Sequence, residues 1–200
     1  MDDAQDFLRS RRSVRRFRPV PVPRGLVERL LETASFAPSA HNRQPWRYIV
    51  LSTDAEKEKL SEAMGEEFRH DLLTDGYSPA EADTQVNRSR QRIASAPVVV
   101  CLCADFAAAD HYPDSGRQAA DSIMLFQDTA LSGMLFMLAA HAEGLGTVWM
   151  CAPLFAPGTV RQALGLPETW EPQALILMGY PEKIPNPGER KTISEIALFR

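Results

Sequence analysis

Three arginines and a serine lie close together near the start of the chain. They are Arg11, Arg12, Ser13 and Arg15, which follow a stretch typical of a short helix and precede spaced prolines that cannot continue it. A guanidinium group presents paired N–H donors that match the oxygens of a phosphate. The segment therefore predicts an anion-binding arm, although a run of arginines taken alone is more often a solvated basic edge.

A second polar segment, bounded by Pro38 and Pro45, alternates hydroxyl and amide side chains. Ser39, Asn42 and Gln44 supply neutral hydrogen-bond donors and acceptors, which suit the uracil-like edge of a flavin ring without adding charge. A predicted helix precedes this loop and a predicted strand follows it. An ordinary polar turn between the two elements is the alternative interpretation.

A third basic segment lies near the end of the chain. Arg190 and Lys191 follow a proline-rich stretch and are not placed on a predicted helix. They could close a phosphate site from the far end of the chain, or they could be solvated.

Other kinds of site have little support in the sequence. Four histidines are far apart, and no Cys-x-x-Cys or His-x-x-x-His pair indicates a metal site. Gly144 and Gly146 lack the third glycine of a dinucleotide-binding turn, and no phosphate-binding P-loop motif occurs. No catalytic acid, base or nucleophile is evident, which agrees with chemistry carried by a cofactor. His41, in the polar loop, is the histidine whose role we would test first.

The elements that must position these segments follow from hydrophobic periodicity. Strands are predicted over 46–51, 98–103, 147–151 and 174–178, and helices over about 2–9, 23–36, 54–73, 79–94, 118–142 and 157–164. The continuous apolar run of 98–103 predicts a central strand covered on both faces. Residues 118–142 are apolar nearly all round, which predicts a buried core helix.

The last twenty residues combine a proline-rich stretch with an apolar end. The stretch cannot fold on itself, and the end at 193–199 needs a surface on which to lie. Because an apolar end without its own core usually packs on a neighbour, we expect it to pack on a partner subunit and to support dimerisation.

Composition and charge limit the class of protein. The 200 residues fit one domain, with 44% hydrophobic and 24% charged residues, a net charge of −4 and a pI of about 5.6. This balance does not favour binding to nucleic acid or to an anionic membrane surface. No stretch resembles a signal peptide or a long uninterrupted membrane span, so a cytoplasmic protein is expected. The three cysteines lie in apolar runs, which predicts buried free thiols.

Taken together, the segments resemble the nitroreductase family. The Arg-Arg-Ser-x-Arg arm, the Pro-Ser-x-x-Asn-x-Gln-Pro-Trp loop and a late Gly-Leu-Gly strand segment stand in that family's order and spacing, and the resemblance covers nearly the whole chain. It implies an α+β fold with a mainly antiparallel central sheet, flanked by helices around a long core helix. It also implies an FMN-dependent oxidoreductase that is a homodimer, with flavin at the subunit interface and NADH or NADPH as a candidate electron donor.

The same resemblance assigns site residues. Arg11, Arg12, Ser13 and Arg15 match contacts to the ribityl phosphate and pyrimidine edge, and Arg190 with Lys191 matches phosphate contacts. Pro38, Ser39, Asn42 and Gln44 match the contribution of the partner subunit. Met150 and Cys151 match the segment whose backbone amide approaches the reducible flavin nitrogen. Asn87 is a further candidate for a flavin contact.

A narrower resemblance points to the nitroreductase domain of deazaflavin-coenzyme biosynthesis, in which a dehydro precursor is reduced. It rests on His111–Asp114 and on the segment 141–181. The chain has Met134 and Leu135 where relatives often carry Gln-Asn, and no glutamyl-ligase segment occurs in the sequence. The alternative to an enzyme is a non-catalytic dimer that binds flavin or a phosphorylated metabolite.

Overall fold

Seven α-helices and four strands make up the part of the chain that the computed structural model describes, residues 2–200. The strands are β1 (Trp46–Leu51), β2 (Val98–Asp105), β3 (Gly146–Met150) and β4 (Trp170–Gly179). The helices are α1 (Asp2–Ser10), α2 (Arg24–Ala34), α3 (Asp54–Thr74), α4 (Pro79–Ala94), α5 (Ser115–Ala142), α6 (Pro157–Leu164) and α7 (Ile193–Ile196). Short 3-10 helices occupy Ala40–Asn42, Phe106–Ala108 and Ala152–Phe155. Apart from the short α7, the elements are those that the sequence predicts.

The four strands form one sheet in the order β1-β2-β4-β3, and each neighbouring pair is antiparallel. The prediction of an α+β fold with a mainly antiparallel sheet is therefore confirmed. β1 and β3 are the two edge strands, so the elements attached to them lie on opposite sides of the molecule.

Helices cover both faces of the sheet. On one face, β2 and β4 side chains such as Leu102 and Ile176 pack against α2 and α5, around Leu30 and Phe136. On the other face, alternate residues of the same strands pack against α3, α4 and α6, around Leu60, Ile93 and Val160. Every residue of β2 is buried, as expected for a central strand.

β4 begins four residues earlier than its sequence predicts. Pro172 argues against a strand at this position, yet it lies opposite Cys103 within the sheet. The pairing of β3 with β4 covers only the residues from Leu175 to Gly179. Around Pro172, the edge of β4 that faces β3 is therefore unpaired. Because proline has no backbone N–H, its place beside this unpaired edge costs the sheet no hydrogen bond there.

α5 is long and central, but it is not buried all round as its composition predicts. Its sheet-facing side contains polar residues, including Asp121 and Asp128, while Ile123, Leu131 and Met134 are 55%, 46% and 42% exposed. The prediction was wrong because composition does not show on which face each residue lies. Within residues 2–200, α5 alone is long and apolar enough to cross a membrane, a test that the core helix of a soluble protein also passes.

Candidate functional site

The arginine-rich arm lies along the outer edge of β3. Ser13 forms a parallel bridge with Thr147, and the N–H of Val14 donates to the carbonyl oxygen of Thr147 at 2.9 Å. A Cβ at Gly146 would lie 2.6 Å from the Cβ of Val14, so only glycine allows this close approach. Val14 is buried against the strand, whereas Arg15 is exposed. The arm is therefore fixed to the sheet by its backbone and by Val14, which leaves its polar side chains available.

The partners of the arginines in this arm are backbone groups and not the described carboxylates. Among the side chains that the structure describes, no carboxylate forms an ion pair with Arg11, Arg12 or Arg15. Arg12 donates to the carbonyl oxygens of Arg9 and Arg11, at the C-terminal end of α1. Nη1 of Arg11 is buried and has no hydrogen-bond partner among the described residues. Because an unsatisfied buried donor is costly, this nitrogen of Arg11 is suited to bind an anionic ligand.

Two cavities lie along the arm. A small one of about 100 Å³ is lined by Arg11, Arg12, His141 and the turn that begins β3, together with Ile184. A larger, more open one of about 530 Å³ is lined by Ser13, Arg15, Arg16, Glu182, Lys183 and Pro185. An elongated ligand with an anionic end could follow the edge of β3 through this region.

His141 forms one wall of the smaller cavity. Its Nε2 lies 2.7 Å from the hydroxyl of Ser10, and its ring stacks on Phe7 with centroids 5.0 Å apart. Burial and the positive charges of Arg11 and Arg12 lower the pKa of His141, against a smaller opposing effect of the Phe7 backbone. Arg11 and Arg12 therefore make this side of the cavity rich in positive charge.

The polar loop after α2 has an unusual backbone. His41, Asn42 and Gln44 have φ angles of 53°, 54° and 49°, in the left-handed region that residues other than glycine seldom adopt. Each such residue costs on the order of 1 kcal/mol or more and persists only where its surroundings hold it. The hydroxyl of Ser39 accepts the Gln44 N–H at 3.0 Å, and Gln44 Nε2 donates to Asn42 Oδ1 at 3.1 Å. Backbone strain of this kind is concentrated at functional sites, which supports the assignment of this loop.

α5 holds the loop through residues that sequence reasoning missed. Asp128 Oδ2 accepts the N–H of Ala40 at 3.0 Å, and Asp121 Oδ1 accepts Nη1 of Arg43 at 2.7 Å. The hydrogen bond to Asp121 raises the pKa of Arg43, against the opposing effect of burial. Two carboxylates spaced seven residues apart in a mostly apolar helix are the signal that could have identified them.

The arm and the loop lie at diagonally opposite corners of the sheet. Three strand spacings, about 14 Å, separate the edge strands β1 and β3. The loop leads into Trp46, which pairs with Ala104, and Ala104 pairs with Glu171 of β4. The arm contacts Thr147, which pairs with Met178 of β4. The seven residues from Glu171 to Met178 add about 24 Å along the strands. A single chain therefore does not bring the two predicted parts of the site together.

Met150 and Cys151 do lie on the same edge as the arm. Met150 ends β3 three residues after Thr147, about 10 Å along the strand. Cys151 is exposed, unlike the buried Cys101 and Cys103, so the prediction that it is a buried thiol was wrong. Trp149 Nε1 donates to its sulfur at 3.2 Å. Cys151 follows the end of the strand, where the following 3-10 helix turns the chain toward solvent.

Next to that turn, a cavity of about 370 Å³ opens between α3, α4 and the 3-10 helix Ala152–Phe155. Met64, Phe68, Leu72 and Phe155 form its apolar lining, and Glu67, Asp71, Asp75 and Ser89 contribute polar groups. Its apolar lining suits an apolar small molecule.

The remaining predicted residues are exposed and do not line these cavities. Arg190 donates to the carbonyl oxygens of Gly188 and Glu189, within its own tail. Lys191 is exposed, as is Asn87 on α4. Instead, Glu182, Lys183 and Pro185 are the tail residues that line the larger cavity beside the arm.

Comparisons with known proteins identify the family and the fold of this chain. The model of the nitroreductase family matches residues 8–180. A "NADH dehydrogenase" from Thermus thermophilus is 32% identical over 223 aligned positions, covering 99% of this chain and 96% of the relative. Among solved structures, a nitroreductase-like protein from Streptococcus mutans has a TM-score of 0.77 at 25% identity, covering 100% of this chain and 98% of that one. A BluB-like flavoprotein from Clostridium difficile has a TM-score of 0.81 at 22% identity, covering 98% of both chains.

Proposed function

Because this chain belongs to the nitroreductase family, we propose that it is an FMN-dependent oxidoreductase that takes reducing equivalents from NADH or NADPH. The acceptor is a small organic molecule. The observation that carries the cofactor assignment is the buried Nη1 of Arg11, which has no hydrogen-bond partner among the described residues. The neighbouring arginines of the arm form no ion pair with a described carboxylate.

The residues along β3 fit a flavin mononucleotide. Arg11 would bind the phosphate in the smaller cavity, and Ser13 and Arg15 would follow the ribityl chain toward the ring. Met150 and Cys151, about 10 Å further along the strand, would meet the ring itself. Bound flavin supplies the hydride chemistry, so the protein needs to bind, orient and shield it.

Charge along the arm would also favour the reduced state of the cofactor. Arg15 is exposed beside β3 and donates weakly to the carbonyl oxygen of Ser13 at 3.4 Å, so its guanidinium is free to turn toward a ligand. A cation beside the ring stabilises the negative charge that reduction leaves there. Arg15 would then raise the driving force for reduction in addition to binding the cofactor.

A homodimer would complete the site. The loop from Ser39 to Gln44 lies at the far corner of its own sheet, so its hydroxyl and amide groups would reach the flavin bound on a second copy. The exposed apolar side of α5 and the exposed end of the tail, including Leu198 and Phe199, are surfaces that such a partner would cover.

The cavity beside Ala152 gives the acceptor a binding place near the proposed ring position. Its apolar lining suits an aromatic or quinone-like acceptor. We include the dehydro precursor of the deazaflavin coenzyme among the acceptors to assay, because His111–Asp114 and the segment 141–181 resemble that branch of the family.

The test begins with the purified protein. We expect a yellow protein that releases one FMN per chain on denaturation and that oxidises NADH or NADPH in the presence of a nitroaromatic or quinone acceptor. Bound FMN that neither nicotinamide reduces would favour the non-catalytic carrier. A colourless protein that refuses added FMN would rule out the proposal.

A further inference from the structure

The sheet-facing side of α5 carries two carboxylates that the apolar core does not explain. Asp121 is 0% exposed and Asp128 is 6% exposed. Removing a carboxylate from water is unfavourable unless specific partners bind it, so such residues persist where they hold something in place. For both residues, the loop that follows α2 supplies one such partner.

The two carboxylates hold the loop at two points. Asp128 accepts the N–H of Ala40 at 3.0 Å, while Asp121 accepts Nη1 of Arg43 at 2.7 Å. The other oxygen of Asp121 accepts the N–H of Asp110 at 3.1 Å, so this carboxylate is bonded on both sides. Asp110 lies 3.3 Å from Arg43 and adds a second, more exposed negative charge.

Arg43 closes the arrangement from within the loop. Its side chain is 10% exposed, and its Nε donates to the carbonyl oxygen of Ala40 at 3.3 Å. Both backbone polar groups of Ala40 are therefore bonded, one to α5 and one to Arg43. His41 and Asn42 lie between these anchors and Gln44 follows them, and all three have positive φ angles.

We propose that Asp121, Asp128 and Arg43 are positioning residues, which hold Ser39, Asn42 and Gln44 in the single conformation that can contact the flavin of a neighbouring subunit. The inference rests on the proposed function. Without the anchors, the left-handed residues relax toward ordinary backbone conformations, and flavin binding must then restore them. Returning one such residue to its left-handed conformation on binding would weaken the affinity for flavin about tenfold.

The experiment compares Asp128→Leu with Asp128→Asn, whose amide oxygen can still accept the Ala40 N–H. The measurements are the FMN dissociation constant by calorimetry and hydrogen exchange of the Ala40 to Gln44 amides in the flavin-free protein. We expect Asp128→Leu to bind FMN at least about tenfold more weakly and to exchange faster in the loop, and Asp128→Asn to retain most of the affinity. The matched control is Ser132→Ala, on the same face of α5, whose hydroxyl bonds Ala34 and Tyr48 and not the loop.

Arg43→Met keeps the apolar stem and removes the charge, so it tests the same network if Asp128→Leu does not fold. Weaker FMN binding with faster loop exchange supports the inference. Wild-type affinity in a folded variant whose loop exchanges faster would overturn it, as would an equal loss in Ser132→Ala. Wild-type protein that binds no FMN would overturn the proposed function instead, and the exchange rates would still show whether the network holds the loop.

Discussion

At the scale of single residues, Arg11 and Arg12 are neighbours in sequence with different partners in the structure. The guanidinium of Arg12 donates to backbone carbonyl oxygens at the end of α1, where a cation stabilises a helix. Arg11 instead has a buried nitrogen without a partner. The sequence assigns both residues to the cofactor, whereas the geometry favours Arg11 as the phosphate ligand.

Arg11→Ala is therefore expected to weaken FMN binding by roughly 10- to 100-fold, because a hydrogen bond to a charged group is worth about 1.5–3 kcal/mol. Arg12→Ala should weaken it less and should mainly destabilise the end of α1. Calorimetric titration with FMN measures both effects. Arg24→Ala, which removes a solvated arginine paired only with Glu28, is the control. Equal affinities for wild type and Arg11→Ala would contradict the phosphate assignment.

We expect His141 to make the free energy of unfolding depend on pH. Burial and the nearby arginines lower its pKa in the folded chain, so below the ordinary value of 6.5 the unfolded chain binds a proton more readily than the folded one. Stability therefore falls as the pH falls through this range, and His141→Gln should remove that part of the loss. Urea unfolding of the flavin-free protein between about pH 5 and 8, at one protein concentration, measures it. A difference between the two proteins that stays constant with pH would show that His141 does not contribute.

At the scale of elements, α5 divides its roles between two faces. Gly133 lets the helix approach the sheet, because a Cβ there would lie 2.6 Å from Trp149 and 2.7 Å from Leu102. The sheet-facing side also carries the carboxylates that hold the loop, while Ile123 and Leu131 face outward. An outward apolar side on the most apolar helix is a surface that a second chain would cover.

The tail is the second such element. Ile193, Ile196, Leu198 and Phe199 are 63%, 65%, 77% and 84% exposed in the single chain. Burying each against a partner would contribute roughly 1.5–3 kcal/mol. Deleting 193–200 should therefore raise the dimer dissociation constant by at least about a hundredfold, while the chain still folds because none of the deleted residues lies in the core.

Sedimentation at decreasing protein concentration would measure that change. Leu198→Ser with Phe199→Ser is a milder variant, which should give an intermediate dissociation constant. An unchanged mass after deletion would show that the tail does not support the dimer.

At the scale of the whole molecule, the main consequence of the topology is the distance between the arm and the loop. They attach to opposite edge strands and to opposite ends of the sheet, so the proposed site needs the arm of one chain and the loop of another. If the proposed site is correct, flavin binding depends on dimerisation. Combining two differently damaged chains in one dimer tests this.

Arg11→Ala damages the arm, and Asn42→Gly damages the loop while tolerating its positive φ angle. In a mixed dimer of the two variants, one site contains both defects and the other contains neither. We expect the purified mixed dimer to bind half the flavin of wild type with wild-type affinity, although both parent dimers bind weakly. Differently tagged chains allow its isolation. A mixed dimer that binds as weakly as its parents would show that the site lies within one chain.

The strands and most helices could be predicted because each depends on local periodicity and on turn residues. The Asp121 and Asp128 contacts could not, because they depend on which side of α5 faces the loop. Similarly, Cys151 resembles Cys101 and Cys103 in its apolar sequence context, but it follows the last residue of an edge strand and is exposed. Local sequence does not reveal which strand becomes an edge.

By itself, the sequence determined the candidate segments of the site, which are the arm and the loop, and the apolar core around β2. The Met150–Cys151 segment came from the family resemblance. Residue type, hydrophobic period and proline positions are properties of short stretches, so they can be seen without a fold. Only the tertiary structure decided that Arg11, unlike Arg12, has a buried donor without a partner among the described residues, and that α5 anchors the loop. These depend on residues distant in sequence that the antiparallel order β1-β2-β4-β3 brings together or keeps apart.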